Sequence, residues 1–203
     1  MKFTEYLKLT NDHSSRRITE SSSSNVQPKT KKELIQIIKD TIEKEGYDCD
    51  LNFIDTSKIT DMSDLFADSK FNGDISGWDV HNVKDTSFMF AGSKFNGDIS
   101  DWKVQQVESM RSMFSDSEFN GDISKWEPFN VDDMSGMFSG SKFNSDISKW
   151  DMSTVKDTSG MFMNSKFSKD ISKWDVSDVE AHKKMFDRCP LENKPQFQPK
   201  FED

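Results

Sequence analysis

Cysteine is scarce in this chain. There are two among 203 residues, and Cys49 and Cys189 lie before and after everything repetitive in it. So few thiols rule out the dense disulfide framework of a small secreted domain and fit a reducing compartment of synthesis. Histidine is scarce as well: His13, His81 and His182 stand too far apart for a zinc site, and neither cysteine accompanies them. Apolar residues make up 33 % of the chain, where typical domains carry about 45–50 %. A single globular core would therefore be starved. No apolar run is long enough for a membrane span, and the opening Met-Lys-Phe-Thr-Glu-Tyr-Leu is too polar for a secretory signal. Excess positive charge is missing as well. With a net charge of −9, a generic nucleic-acid binder is not expected. Neither a glycine-rich phosphate loop nor a nucleophile elbow is present. No catalytic constellation, cofactor site or metal set emerges, and the chain is not expected to be an enzyme.

What the chain does have is periodicity. Phe-Asn-Gly-Asp-Ile-Ser, with Trp two residues on and Met-Phe eleven beyond, returns every 24 residues. The opening phenylalanines are Phe71, Phe95, Phe119, Phe143 and Phe167, and all five tryptophans (Trp78, Trp102, Trp126, Trp150 and Trp174) fall on one column. A fixed period of this size marks units that bury their apolar faces only by stacking on their neighbours. The limited apolar content is concentrated in those columns, where a stacked core needs it. At roughly 4.8 Å per unit, five units separate the two cysteines well beyond the ~7 Å Cα limit of a disulfide.

Four regions follow. Residues 1–29, with the run Ser21 to Ser24 and closing Pro28, read as a flexible tail. Residues 30–50 form an N-terminal helical cap: Thr30 and Glu33 make a capping box, Leu34, Ile35, Ile38 and Ile42 share a face, and Gly46 suits the C′ position. Residues 51–188 hold six modules, the first and last degenerate. Leu51, Ile54, Ile59, Met62 and Leu65-Phe66 align with Ile75, Trp78, Val83, Thr86 and Met89-Phe90. In the last module Ala181-His182-Lys183-Lys184 displaces the usual residues. Residues 189–203, with Pro190, Pro195 and Pro199, are a C-terminal cap or tail.

Within a module, Trp-x-Val alternation predicts a short parallel strand with one inward face. The spacing of Met110, Met113 and Phe114 predicts a short helical or 3-10 turn. Asn-Gly ahead of Asp-Ile predicts a tight turn at positive φ. The expected fold is thus α/β: a curved right-handed solenoid on the leucine-rich-repeat plan, with short parallel strands, short helical turns and a helical cap.

The blocks FNGDISGWDVHNVKDTSFMF, FNGDISDWKVQQVESMRSMF and FNSDISKWDMSTVKDTSGMF resemble the BspA-type leucine-rich-repeat surface proteins, which include the bacterial and mycoplasmal DUF285 family. The resemblance covers about residues 51–186. It implies a repeat scaffold for adhesion or protein recognition at a cell surface, and it implies no enzyme.

Each conspicuous column has a structural and a functional reading. The aromatic columns are read as core. The column Asp74, Asp98, Asp122, Asp146 and Asp170 suits carboxylates that accept backbone N–H groups in their own turns. Calcium would bring more aspartates and glycines per turn. Recognition is expected where repeats differ and side chains point outward beside Trp and Val: Asp79 and His81, Lys103 and Gln105, Glu127 and Phe129, Asp151 and Ser153, Asp175 and Ser177. Phe129 follows Pro128 in the one repeat that breaks the pattern. It is either a binding hot spot or a ring folded back onto the core. The partner would be a protein or a surface glycan.

The N-terminus supports another reading. Phe3, Tyr6, Leu7 and Leu9 lead to Ile18-Thr19-Glu20 ahead of the serine run. This resembles the removable capsid-targeting peptides of tailed bacteriophages, with cleavage after Glu20 and a place in the virion. A plain tail is the competing reading.

Overall fold

The structure, a computed structural model, describes residues 26–201. The processing site expected at Glu20, and the tail apart from residues 26–29, lie outside the described residues.

One α-helix, α1 (Lys31–Glu45), opens the described chain. Its start is set by side chains: Thr30 Oγ1 accepts from the N–H of Glu33 at 3.2 Å, and Glu33 Oε2 accepts from the N–H of Lys29 at 2.7 Å. Gly46, at φ 90°, ends it with its N–H on the Ile42 carbonyl at 2.9 Å. Leu34 and Ile38 are fully buried against the first module, and Ile35 and Ile42 pack beside them. An amphipathic helix so placed shields the apolar end of the stack from water. Ahead of it, Val26 pairs in parallel with Ile54.

The modules form coils that lie one on another. Each of the five tryptophans is at most 5 % exposed. Phenylalanines stack on their counterparts 24 residues away, with Phe90–Phe114 centroids at 5.5 Å and Phe95–Phe119 at 6.2 Å, both within 5° of parallel. Trp126 and Trp150 stack at 6.4 Å. Phe90 also packs on Phe95, which opens the next module, at 4.4 Å, so columns are tied laterally as well as vertically. The stacked aromatic columns run through the core beside Ile, Val and Met columns, so a chain with limited apolar content still has a continuous core.

The α/β expectation fails here. Among the described residues there is no extended strand and no sheet. The parallel contacts are isolated single-residue bridges such as Asp85↔Ser109 and Ser109↔Asp133. The only other helix there is a 3-10 turn, Pro195–Phe197. The coils are successions of turns, so neither the strands nor the helical turns of the leucine-rich-repeat plan are present. The backbone gives the reason. Two positions in every module are left-handed: Asp64 and Asp68, Phe88 and Gly92, Ser112 and Asp116, Gly136 and Gly140, Gly160 and Asn164, Lys184 and Arg188, all with φ between 51° and 67°. Two positive-φ residues four apart interrupt the helix expected there. The expected strand is broken by tight turns instead, Trp102 N–H donating to the Ile99 carbonyl and Val107 N–H to the Val104 carbonyl. The Met-Phe pair has helical spacing but sits between these interruptions.

The same geometry turns four N–H groups per coil toward the next coil. Those of Thr86, Phe88, Phe90 and Gly92 donate to the carbonyls of Ser109, Arg111, Met113 and Ser115 at 2.7–3.0 Å. The pattern repeats one coil on, from Met110, Ser112, Phe114 and Asp116. These bonds all run from one coil to its C-terminal neighbour.

A further correction concerns Asn-Gly. Gly73, Gly97 and Gly121 are not at positive φ. They are small because the preceding phenylalanine lies over them: a Cβ on Gly97 would meet Phe95 Cε2 at 2.8 Å. The asparagines form a ladder, each Oδ1 accepting from the N–H of the residue 24 further on. Asn72 holds Asn96, Asn96 holds Asn120 and Asn120 holds Asn144, at 2.7–2.8 Å.

At the far end, residues 189–201 fold over the last coil. Leu191 and Pro199 are buried, Phe197 and Phe201 pack on the core, and the N–H of Ile171 donates to the Phe197 carbonyl at 3.0 Å. Cys49 and Cys189 are buried free thiols at opposite ends, and burial pushes the pKa of each upward.

Candidate functional site

The residues expected to face a partner do reach the surface, in two neighbouring columns. Asp79, Lys103, Glu127, Asp151 and Asp175 make one, His81, Gln105, Phe129, Ser153 and Ser177 the other. All are exposed except Gln105, which is half-buried. Between them Val80, Val104, Pro128, Met152 and Val176 point inward and are buried. This inward column follows from its composition, since four of its five members are aliphatic or thioether side chains and the fifth is proline.

Hydrogen bonds between coils keep the face in register. Asn82 Nδ2 donates to the Ser57 carbonyl at 2.8 Å, Asn130 Nδ2 to Gln105 at 2.6 Å and Thr154 Oγ1 to Val131 at 3.0 Å. Gln105 Nε2 donates directly across to Glu127 Oε2 at 2.9 Å.

The aspartates of this face are partly occupied. Asp79 accepts from the N–H of His81 and lies 2.6 Å from its Nδ1. Asp151 and Asp175 accept from the N–H groups of Ser153 and Ser177. The serine hydroxyl, then its backbone N–H, holds each of those two carboxyls below the usual aspartate value. Such carboxylates are fixed acceptors and remain charged in the neutral range.

Phe129 is different. Its N–H donates back to the Glu127 carbonyl at 2.9 Å, a three-residue turn centred on Pro128. Pro128 thereby takes the buried column, and the Phe129 ring is left 46 % exposed. The ring is not folded onto the core. It is the apolar member of an otherwise polar column, with Gln105 one repeat before and Ser153 one repeat after.

Two other large aromatic side chains are exposed, Tyr47 at 44 % and Phe53 at 37 %. Sequence reasoning did not single them out. Phe53 stands where the later repeats have Gly77, Asp101, Lys125, Lys149 and Lys173, and that mismatch was the available signal.

Elsewhere, a shallow cavity of about 550 Å³ is lined by Lys125, Lys149, Lys169, Asp122 and Asp146 with Asn144. Its aspartates belong to the column that caps its own turns. Asp122 accepts from Ser124 N–H and Asp146 from Ser148 N–H, both at 2.9 Å, and those bonds hold both carboxyls low. Among the described residues, no three His, Cys, Asp or Glu side chains are placed to hold a metal ion. No helix among them is long and apolar enough to cross a membrane.

These surfaces carry fixed acceptors, lysines and an exposed ring on a scaffold held by its own hydrogen bonds. No curated protein and no solved structure matches the chain. Residues 36–141, and again residues 94–198, match the family described as mycoplasma protein of unknown function, DUF285. Two overlapping matches are what a tandem repeat gives, and together they span most of the chain, which belongs to the DUF285 family.

Proposed function

We propose that the protein is a non-enzymatic interaction module that recognises a protein or a surface glycan, most simply in adhesion, through the two outward columns from Asp79 and His81 to Asp175 and Ser177. The observation that carries this reading is Phe129. Its ring is 46 % exposed because a proline occupies the buried column beside it, so the exposure is built into the backbone. An aromatic side chain surrounded by polar neighbours has the composition of an interface hot spot and its rim. The variable residues stand on a backbone already ordered by coil-to-coil bonds, so little conformational entropy is lost on binding. The acidic balance of the chain argues against nucleic acid as the partner.

The test compares wild type with Phe129→Ala and with Phe129→Ala/His81→Ala on purified surface proteins and on an array of surface glycans. Stability should change by less than about 0.5 kcal/mol in Phe129→Ala, while affinity for any ligand found falls about tenfold or more. Ligands bound equally well by wild type and double variant would sink the assignment.

A further inference from the structure

The hydrogen bonds between coils leave one end of the stack incomplete. In the fifth coil Thr158, Gly160, Phe162 and Asn164 donate to the carbonyls of Ala181, Lys183, Met185 and Asp187 at 2.8–3.0 Å. The equivalent donors of the sixth coil are the N–H groups of His182, Lys184, Phe186 and Arg188, and among the described residues no seventh coil follows. A carboxylate has taken the last of these places: Glu192 Oε2 accepts from the N–H of Arg188 at 3.1 Å. The N–H groups of His182, Lys184 and Phe186 have no acceptor among the described residues.

Three further observations converge there. A shallow cavity of about 340 Å³ opens on these residues, lined by His182, Lys184, Phe186, Glu192, Gln198 and Phe201. The His182 ring stacks on Phe201 with centroids 4.0 Å apart and gives the cavity an aromatic wall. The sequence also changes sign at this coil alone. Ala181 stands where Asp61, Asp85, Asp133 and Asp157 stand in other coils, and His182, Lys183, Lys184 and Arg188 are all exposed. Asp187 and Glu192 are the acids that line the cavity, and exposed Glu180 precedes the coil. Glu192 is spent on Arg188, and Asp187 is half-buried. In a chain of net charge −9, Lys183, Lys184 and Arg188 stand beside the open donors.

We propose that this edge docks an acidic segment of a partner protein, whose carbonyls and carboxylates take the N–H groups of His182, Lys184 and Phe186. Lys184, at φ 60°, holds the left-handed position that in the earlier coils goes with alternate N–H groups donating to the carbonyls of the next coil. Pairing with an unsatisfied backbone edge supplies affinity from main-chain bonds, and the basic side chains select for acid. This site lies at the end of the stack and does not depend on the Phe129 face.

The experiment is an amide NMR titration of the full chain with capped pentaglutamate, with capped pentaglutamine as control, at low salt. Saturable shifts at the His182, Lys184 and Phe186 amides with pentaglutamate, weakened about threefold or more by Lys183→Glu, support the proposal. Lys183→Gln, which removes one charge without inverting it, serves should the glutamate variant not fold. Equal shifts with pentaglutamine overturn the acidic part of the claim. Shifts confined to lysines elsewhere, or none at these three amides, overturn all of it.

Discussion

The indole Nε1 of Trp126 donates to the carbonyl of Ile99, 27 residues earlier, at 3.0 Å. The other four tryptophans make the same bond, to Leu51, Ile75, Ile123 and Ile147. Each indole thus fills its own coil and satisfies a carbonyl of the coil before. Truncation loses both. Trp126→Ala should destabilise by about 3–5 kcal/mol through the cavity left behind. Trp126→Phe keeps much of the volume and leaves the Ile99 carbonyl with the Trp102 N–H alone, so about 0.5–1.5 kcal/mol should remain lost. Urea unfolding of the variants measures this. A near-unchanged midpoint in Trp126→Ala would contradict the core assignment.

The glycines beneath the phenylalanine column differ in what blocks them. A Cβ on Gly73 would lie 1.9 Å from the Cys49 carbonyl oxygen, which is backbone, while Gly97 faces mainly the Phe95 ring. The fourth repeat carries Ser145 at this place, its Oγ donating to the Asn120 carbonyl at 3.0 Å. A ring can therefore give way where a backbone cannot. Gly97→Ser should cost about 1 kcal/mol or less and Gly73→Ser about 2 kcal/mol or more. Thermal denaturation of the pair reads the order, and the reverse order would refute it.

Left-handed positions held by ordinary residues store a small strain. Ser112 has φ 51° and its counterpart Gly136 has φ 63°. Ser112→Gly should stabilise by up to about 1 kcal/mol, whereas Gly136→Val, β-branched in the same conformation, should destabilise by at least that much. Equal chemical stability of both variants and wild type would mean that these angles are relaxed.

Acid should act through the turn-capping aspartates. The Ser76 N–H holds Asp74 below its ordinary value of 3.8, and the N–H groups of Ser100, Ser124, Ser148 and Ser172 do the same for Asp98, Asp122, Asp146 and Asp170. A carboxyl lowered by folding stabilises the native state above its unfolded pKa. That contribution disappears as pH falls through the lower folded value. Stability should hold in the neutral range and decline below about pH 4. Asp122→Asn keeps the accepting oxygen without the titration, so its stability should fall less between neutral pH and about pH 3. An identical decline in wild type and variant would remove this column from the account.

The parts of the fold that were legible in the sequence are those in which one position meets its own copy. Phe95 touches Phe119, and Trp126 touches Trp150, so a conserved spacing announces a contact. The helix was legible from Thr30, Glu33 and its apolar face, and the aspartate caps from Asp followed two residues on by Ser. The internal conformation of a coil was not. Phe88, Ser112 and Lys184 occupy left-handed positions, yet none of those residue types signals a positive φ. The Met-Phe spacing imitates a helix that those angles forbid. Gly97 looked like a turn residue, although its smallness serves the Phe95 ring. The asparagine ladder was hidden because a side chain that bonds the next repeat looks, in one repeat, like any surface asparagine. At the candidate face, the outward columns followed from alternation. The sequence left Phe129 undecided because a proline can either bulge outward or take the buried place, and only the burial of Pro128 resolves which.

The tryptophan bonds reach back 27 residues, and the asparagine bonds reach ahead by 24. Neither refers to absolute position along the polymer. A gene segment encoding one such unit can therefore be duplicated or excised by recombination with every partnership restored at the new junction. Reach, and the number of exposed side chains on offer, are thus adjustable by copying alone, without any fresh invention at the interior.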